Sequence, residues 1–272
     1  MKYPIGIQSF DQLREDGFVY VDKTALVYDL AQNGKIYFLS RPRRFGKSLL
    51  ISTLKHYFLG HKELFQGLAM EQLEKEWTVY PVFHLDFNGG NFMQHGSLRE
   101  RIEAYLSNWE REYHIDNTSH DLGLRFSVVL QEAHMQTGHR AVVLIDEYDK
   151  PILDVLDSNA SFTDESGNRI TLEDDHRNIL KGFYSTFKAA DADLHFVMLT
   201  GVTKFSQVSV FSGFNQPKDI SMDKRYEALC GITQEELETV FAEPIRKLAE
   251  DMEFSVDEMK QMLKLQYDGY HF

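Results

Sequence analysis

Gly46-Lys47-Ser48 closes the run Lys35-Ile-Tyr-Phe-Leu-Ser-Arg-Pro-Arg-Arg-Phe-Gly-Lys-Ser48, in which a short apolar strand passes through a basic turn into a helix start. These residue types at this spacing suit a nucleoside triphosphate. A helix N-terminus offers N–H groups to phosphate oxygens, a lysine reaches the β- and γ-phosphates, and a serine hydroxyl reaches Mg²⁺. The pattern GxxxxGK[ST] asks for glycine at position 41, where this chain has Arg41. Pro42 has no N–H, so the cradle falls to the amides of Arg43, Arg44, Phe45, Gly46, Lys47 and Ser48, with Leu49 beside them. A chance Gly-Lys-Ser at a helix start is the competing reading.

A second segment weighs against chance. His139-Arg-Ala-Val-Val-Leu-Ile-Asp-Glu-Tyr-Asp-Lys-Pro151 has the continuous apolar character of a strand buried on both faces of a parallel sheet, and it closes on Asp146-Glu147. This is the form of a Walker B strand. An aspartate at its carboxyl end can hold Mg²⁺ together with Ser48, and the glutamate beside it can orient or deprotonate an attacking water. Asp149 is accounted for as the cap of a helix beginning near Pro151. A third buried strand, Leu194 to Thr203, places Thr200 and Thr203 where a sensor of the γ-phosphate would sit, although Thr203 and Lys204 equally suit a cap on the next turn. Asp86, ending the strand Val79 to Phe87, reads either as a cation contact or as a turn cap.

Composition bounds the alternatives. The chain has 272 residues, 43% of them hydrophobic, enough to bury a substantial core. Its net charge of −13 argues against a broad nucleic-acid surface, which needs clustered Lys and Arg. Arg41, Arg43, Arg44 and Lys47 concentrate positive charge locally, which suits steering of a triphosphate; pairing of Arg43 and Arg44 with surface carboxylates is the plainer use. No apolar run approaches the roughly 18 residues of a membrane span, and no secretory signal opens the chain, so a cytoplasmic location is expected. The lone Cys230 fits a reducing compartment, and the histidines lack metal-ligand spacing.

The elements that must position these residues can be read in outline. Ser9 caps a first short helix; Phe18 to Thr24 reads as a short strand entering a helix that ends near Asn33-Gly34. A helix follows Ser48 up to Gly60, another covers Leu64 to Trp77, and two amphipathic helices span Ser97 to Tyr113 and Leu122 to Gln136. Ser158 to Asp175 reads as a surface insertion or small hairpin, and a helix covers His176 to Ala190. Beyond Gln216, Asp219 to Met222 is extended, Thr233 opens a helix with a capping box, and a last helix starts near Ser255.

With these motifs in place, the chain resembles the bacterial predicted AAA-ATPase-like family, a branch of P-loop NTPases close to the STAND group. The marks are Pro4-Ile-Gly-Ile-Gln8, Tyr20-Val-Asp-Lys-Thr24, Arg41 to Ser48, Leu144-Ile-Asp-Glu-Tyr-Asp149, Thr200-Gly-Val-Thr-Lys204, Phe211-Ser-Gly-Phe-Asn215 and Tyr267-Asp-Gly-Tyr270. Arg41 in place of glycine is a trait of that family. The resemblance implies an α/β fold of ASCE type, a mostly parallel sheet flanked by helices with the Thr200 strand between the P-loop and Walker B strands, followed by a helical lid. It divides the chain into an N-terminal extension packed on the core (1–34), a core (35–215) and a lid region (216–272). The activity implied is ATP binding and hydrolysis with Mg²⁺ in a regulatory module. Lys47 would contact the phosphates, Ser48 and Asp146 hold Mg²⁺, Glu147 activate water, and Thr200 sense the γ-phosphate. Arg43, Arg44 and Arg225, or a neighbouring subunit of a homo-oligomer, are candidates for a further positive charge. The alternatives are a nucleotide-gated scaffold with little turnover and the ATPase part of a nuclease-associated protein whose nuclease domain is absent here. Many relatives carry a further C-terminal domain resembling PD-(D/E)xK nucleases, and nothing in this chain supplies that pattern.

Overall fold

The computed structural model describes residues 2–203 and 217–267. In chain order the elements are α1 (Phe10–Glu15), α2 (Thr24–Gln32), β1 (Ile36–Ser40), α3 (Lys47–Phe58), α4 (Ala69–Leu73), β2 (Val82–Asp86), α5 (Ser97–Glu112), α6 (Leu122–Thr137) and β3 (Ala141–Asp146). There follow α7 (Lys150–Leu153), β4 (Ser161–Thr163), β5 (Arg169–Thr171), α8 (Leu172–Ala189), β6 (Leu194–Gly201), β7 (Lys218–Asp219), α9 (Gln234–Val240), α10 (Ala242–Asp251) and α11 (Val256–Tyr267). Lys204, the run Phe211-Ser-Gly-Phe-Asn215 and Asp268 to Phe272, all singled out in the sequence, lie outside the described residues.

Five strands form one sheet in the order β2-β3-β6-β1-β7, every pair parallel. β6 lies between β1 and β3, the order expected from the sequence. All six residues of β3 are buried, because helices cover both faces of a parallel sheet. Side chains alternate between the two faces. Phe38, Val143, Ile145, Val197 and Leu199 pack with α5, α6 and α8, while Leu39, Val142, Leu144, Phe196 and Met198 pack with α2 and α3. Burying side chains of this kind stabilises by about 1.5–3 kcal/mol each, so the two faces of the sheet carry much of the apolar core.

β7 lies beyond position 215, where the sequence reading ends the core. Ile220, Tyr226, Leu229 and Cys230 pack in the same apolar cluster as α2 and α3, so the sheet draws its fifth strand from the stretch assigned to the lid. α10 and α11 form a separate small core around Ile245, Ala249 and Met259. α1 and α2 pack on α3 through Phe10, Val27 and Leu30, and the Phe10 N–H donates to Ser52 Oγ at 2.9 Å.

Several local expectations are corrected. Phe18 to Lys23 joins no sheet. The helix expected over Leu64 to Trp77 is a 3₁₀ turn at Lys62–Phe65 followed by the short α4, because Gly67 turns the chain at φ 78°. β2 starts at Val82 rather than Val79, after Pro81, which cannot donate to a ladder. α8 starts at Leu172, four residues before the expected His176, because the Thr171 hydroxyl caps the Asp174 N–H. Ser9 stands at the N-cap of α1 but its hydroxyl turns to the Asp11 carboxylate. The hairpin β4–β5 and the Thr233 capping box agree with the sequence reading.

β6 ends at Gly201, where an added Cβ would lie 2.4 Å from the Tyr148 ring and 2.7 Å from the Asp149 carboxylate. Gly201→Ala should therefore cost about 1–3 kcal/mol through overpacking. The change is read as a lower urea midpoint at unchanged m-value, and an unaltered midpoint would refute the close packing of Tyr148 and Asp149 on this strand end.

Candidate functional site

The ends of β1, β6 and β3 converge on the N-terminus of α3. Between β1 and α3 the chain turns through Arg44 at φ 70° and Gly46 at φ 87°, the second suited to glycine, and α3 opens directly at Lys47. Arg41, which replaces the expected glycine, is buried. Its guanidinium donates to the Ser40 and Ser221 carbonyls, away from the turn, and its N–H donates to the Gly201 carbonyl at 3.2 Å. Burial pulls the guanidinium pKa below its ordinary value. An arginine is accommodated here because its side chain leaves toward β7. Arg43 and Arg44 are exposed at the rim, and among the described residues neither pairs with a carboxylate. Phe45 is half-buried, and its carbonyl accepts the Gly231 N–H at 3.0 Å.

Lys47 is only 3% exposed, and its Nζ lies 3.2 Å from the Glu147 carboxylate and 3.4 Å from the Pro42 carbonyl. Asp146 is buried beside it in sequence. Its Oδ1 accepts the Thr200 hydroxyl at 2.6 Å and the Glu147 N–H at 3.1 Å. Thr200 is read from the sequence as facing a phosphate; its fully buried hydroxyl is instead bonded to Asp146. Ser48, Asp146 and Asp86 line one polar cavity of about 250 Å³. Asp86 Oδ1 accepts the Asn88 N–H at 2.7 Å, so it also caps its turn. Burial raises the Glu147 pKa more than Lys47 lowers it, with Asp146 and Asp149 adding to the rise.

A cleft of about 820 Å³ opens over the turn, with Gly6 and Gln8 on one side and Arg44, Lys47, Ser48 and Glu147 on the other. Next to it is an apolar pocket of about 380 Å³ that includes Tyr20, Val27, Phe45, Leu49, Cys230 and Phe241. Burial pushes the Cys230 thiol up to about 12. Among the described residues the N-terminal stretch meets the C-terminal helices here through an ion pair between Lys23 and Glu236 and through Tyr3 stacked on Phe241 at 6.1 Å. Arg225 is not in the cleft lining; its guanidinium pairs with Asp223 at 2.7 Å and lies over the Tyr226 ring.

Sequence reasoning gave Gly6 and Gln8 no place at the site, although both stand in the run Pro4-Ile-Gly-Ile-Gln8 that marks the resemblance, and both line the cleft. It also assigned Asp149 to the wrong task. Asp149 makes no side-chain cap bond to α7; its carboxylate accepts the N–H groups of Val202 and Thr203.

The strand order, the turn and the helix start define a P-loop NTPase fold. The chain belongs to the predicted AAA-ATPase family, whose model matches residues 4–211. It is also 40% identical over 273 residues to an uncharacterized protein in the vnfD 5′ region of Azotobacter chroococcum mcd 1, covering 100% of this chain and 49% of that relative. The chain thus spans about half the length of the curated relative it matches. Among the described residues no helix is long and apolar enough to cross a membrane.

The raised Glu147 pKa fixes the sign of a pH effect. A carboxylate that is harder to ionise in the folded than in the unfolded state binds more protons when folded. Its ionisation therefore lowers stability as pH rises from its ordinary 4.5 through the folded value. Glu147→Gln removes that slope. The stability of the variant relative to wild type should improve as pH rises above about 4.5 and then level off in urea titrations, and a difference that is flat throughout or falls with pH would contradict burial as the dominant influence.

Proposed function

We propose that this chain is an ATP-binding module that hydrolyses ATP in a regulatory role, with Mg²⁺ as the nucleotide's partner ion. The observation that carries this reading is the placement of Lys47 at the N-terminus of α3, 3.2 Å from Glu147, with Asp146 and Ser48 around one adjoining cavity. The amides from Arg43 to Leu49 cradle the phosphates at the positive end of α3, and Lys47 binds the β- and γ-phosphates. The residues present fit a divalent cation. Asp146 Oδ1 is engaged by Thr200 and the Glu147 N–H, no contact among the described residues engages Oδ2, and Ser48 supplies a hydroxyl in the same cavity. When bound, the ion neutralises phosphate charge. Glu147, made more basic by burial, orients and deprotonates the attacking water, and Thr200 holds Asp146 in orientation. Arg43 and Arg44, exposed at the rim, are the nearest candidates for added charge, unless a homo-oligomer brings one from a neighbouring copy.

The apolar pocket beside the P-loop suits the nucleobase. Because Phe241 and Ile232 line it, the stretch that follows β7 closes over the base as a lid. A nucleotide-gated scaffold with slow turnover is favoured by one feature: Lys47 and Glu147 hold each other, and turnover requires that they separate. The chain's span of half its relative suggests that the module acts on a further segment, for which the PD-(D/E)xK resemblance is one reading. With its acidic charge it works on such a segment or on protein, not as a nucleic-acid surface itself, and in the cytoplasm.

Isothermal calorimetry should show Mg·ATP binding that Lys47→Ala weakens by roughly 10- to 100-fold, the loss of one charge-assisted contact. Equal affinities for the two proteins would sink the P-loop assignment.

Binding and chemistry separate at Glu147. Glu147→Gln should keep Mg·ATP affinity within about threefold while steady-state turnover falls by 10²-fold or more. A variant as fast as wild type moves the base elsewhere, and a wild type that binds without turnover establishes the gated scaffold.

A further inference from the structure

Glu147 occupies the left-handed backbone region at φ 52°, which side chains other than those of Asn and Asp rarely adopt. A glutamate has no local bond that favours it. On both sides, however, the chain is stitched to the end of β6. Before it, Asp146 accepts the Thr200 hydroxyl; after it, the Tyr148 N–H donates to the Thr200 carbonyl at 3.0 Å. One residue further, a single oxygen of Asp149 accepts the N–H of Val202 at 3.0 Å, the N–H of Thr203 at 2.6 Å and the Thr203 hydroxyl at 2.6 Å. Asp149 is fully buried. Three donors on one buried carboxylate oxygen form a strong, directional clamp between two chain segments.

We propose that Asp149 is a positioning residue. By clamping the turn after β3 to the segment after β6, it holds Glu147 in its left-handed conformation and so presents that carboxylate to Lys47. Relaxation of Glu147 to negative φ would swing its Cβ and carry the carboxylate away from the cleft. The role rests on the reading of Glu147 as the base, but the clamp can be tested without ATP.

The test compares E147G with E147A. Both lose the carboxylate, so the difference between them reports the backbone alone. In the otherwise native chain E147G should melt about 3 °C above E147A, although glycine ordinarily lowers stability through chain entropy. With D149A added, the gap should vanish or reverse; with D149N, whose amide oxygen still accepts, it should persist. If D149A does not fold, T203V removes one of the three donors and must narrow the gap. A gap unchanged by D149A, or by T203V in its place, overturns the proposal, as does its loss in D149N. In ATP turnover, D149A should lower kcat at least tenfold with KM within about twofold, and should add nothing to the loss in E147Q. Additive losses would reduce Asp149 to a general structural role and also overturn it. Absence of turnover in wild type would remove the reading of Glu147 as a base, while the melting comparison would still decide whether the clamp exists.

Discussion

A buried ammonium needs a carboxylate close by, and the site is arranged around meeting that need for Lys47. The P-loop turn places Lys47 at the start of α3, where the helix dipole already disfavours positive charge. Taking the ammonium out of water adds a penalty of several kcal/mol before any partner is counted. Glu147 offsets both, and its own raised pKa shows that it bears a share of the desolvation. Glu147 meets Lys47 from a turn at φ 52°, so the ion pair and the left-handed backbone fall on the same residue. The bonds from β6 to Asp146, Tyr148 and Asp149 then hold the turn against relaxation. A phosphate or nucleotide at this place would compete with Glu147 for the same cation, which makes the ion pair the natural point of exchange between ligand and protein.

The sheet was legible because its strands are buried on both faces. Ala141–Asp146 and Leu194–Gly201 are apolar runs of a kind that amphipathic surface elements do not show, and the two polar strand ends mark where the sheet stops. Helices α5 and α6 were legible for the complementary reason, apolar residues at helical spacing along one face, and α6 is also capped by Asp121. Elements failed where local signals are weak. Phe18 to Val21 is a short apolar run like that of a strand, but among the described residues its backbone bonds go to the Leu13 and Lys2 carbonyls and it joins no sheet, and pairing is a tertiary fact. Lys62 to Leu73 has helix-forming residues on both sides of Gly67, and one left-handed glycine breaks it in two. β7 pairs through only two residues, too short for any periodicity to register.

At the site the same division holds. Lys47, Ser48, Asp146 and Glu147 were legible because motif spacing along one strand or one helix start fixes where each side chain emerges. Side-chain direction across the fold was not. Arg41 reads as part of a basic turn, yet its guanidinium leaves toward Ser221, some 180 positions along the chain. Thr200 and Asp149 read as a sensor and a helix cap, and each is bonded to the neighbouring strand end instead. The two bonds share a cause: a short polar side chain at or just beyond the end of a buried parallel strand has a partner one strand away that no linear spacing encodes.

The apolar pocket beside the P-loop is walled by three parts of the chain that are far apart in sequence: Tyr3 and Tyr20, Phe45 and Leu49, and Cys230 with Phe241. Any molecule that fills it changes contacts with all three at once. The first and third parts are also joined directly by the ion pair between Lys23 and Glu236, in a setting where Lys23 is buried and Glu236 is also spent on the capping box of α9. The same carboxylate thus bonds the N-cap of its own helix and the N-terminal stretch that also lines the cleft, so a shift of α9 against that stretch acts on the ion pair with Lys23. The C-terminal stretch also meets the P-loop turn directly, where the Gly231 N–H donates to the Phe45 carbonyl at 3.0 Å, so a change at the turn reaches that stretch by this bond as well as by the Lys23–Glu236 ion pair.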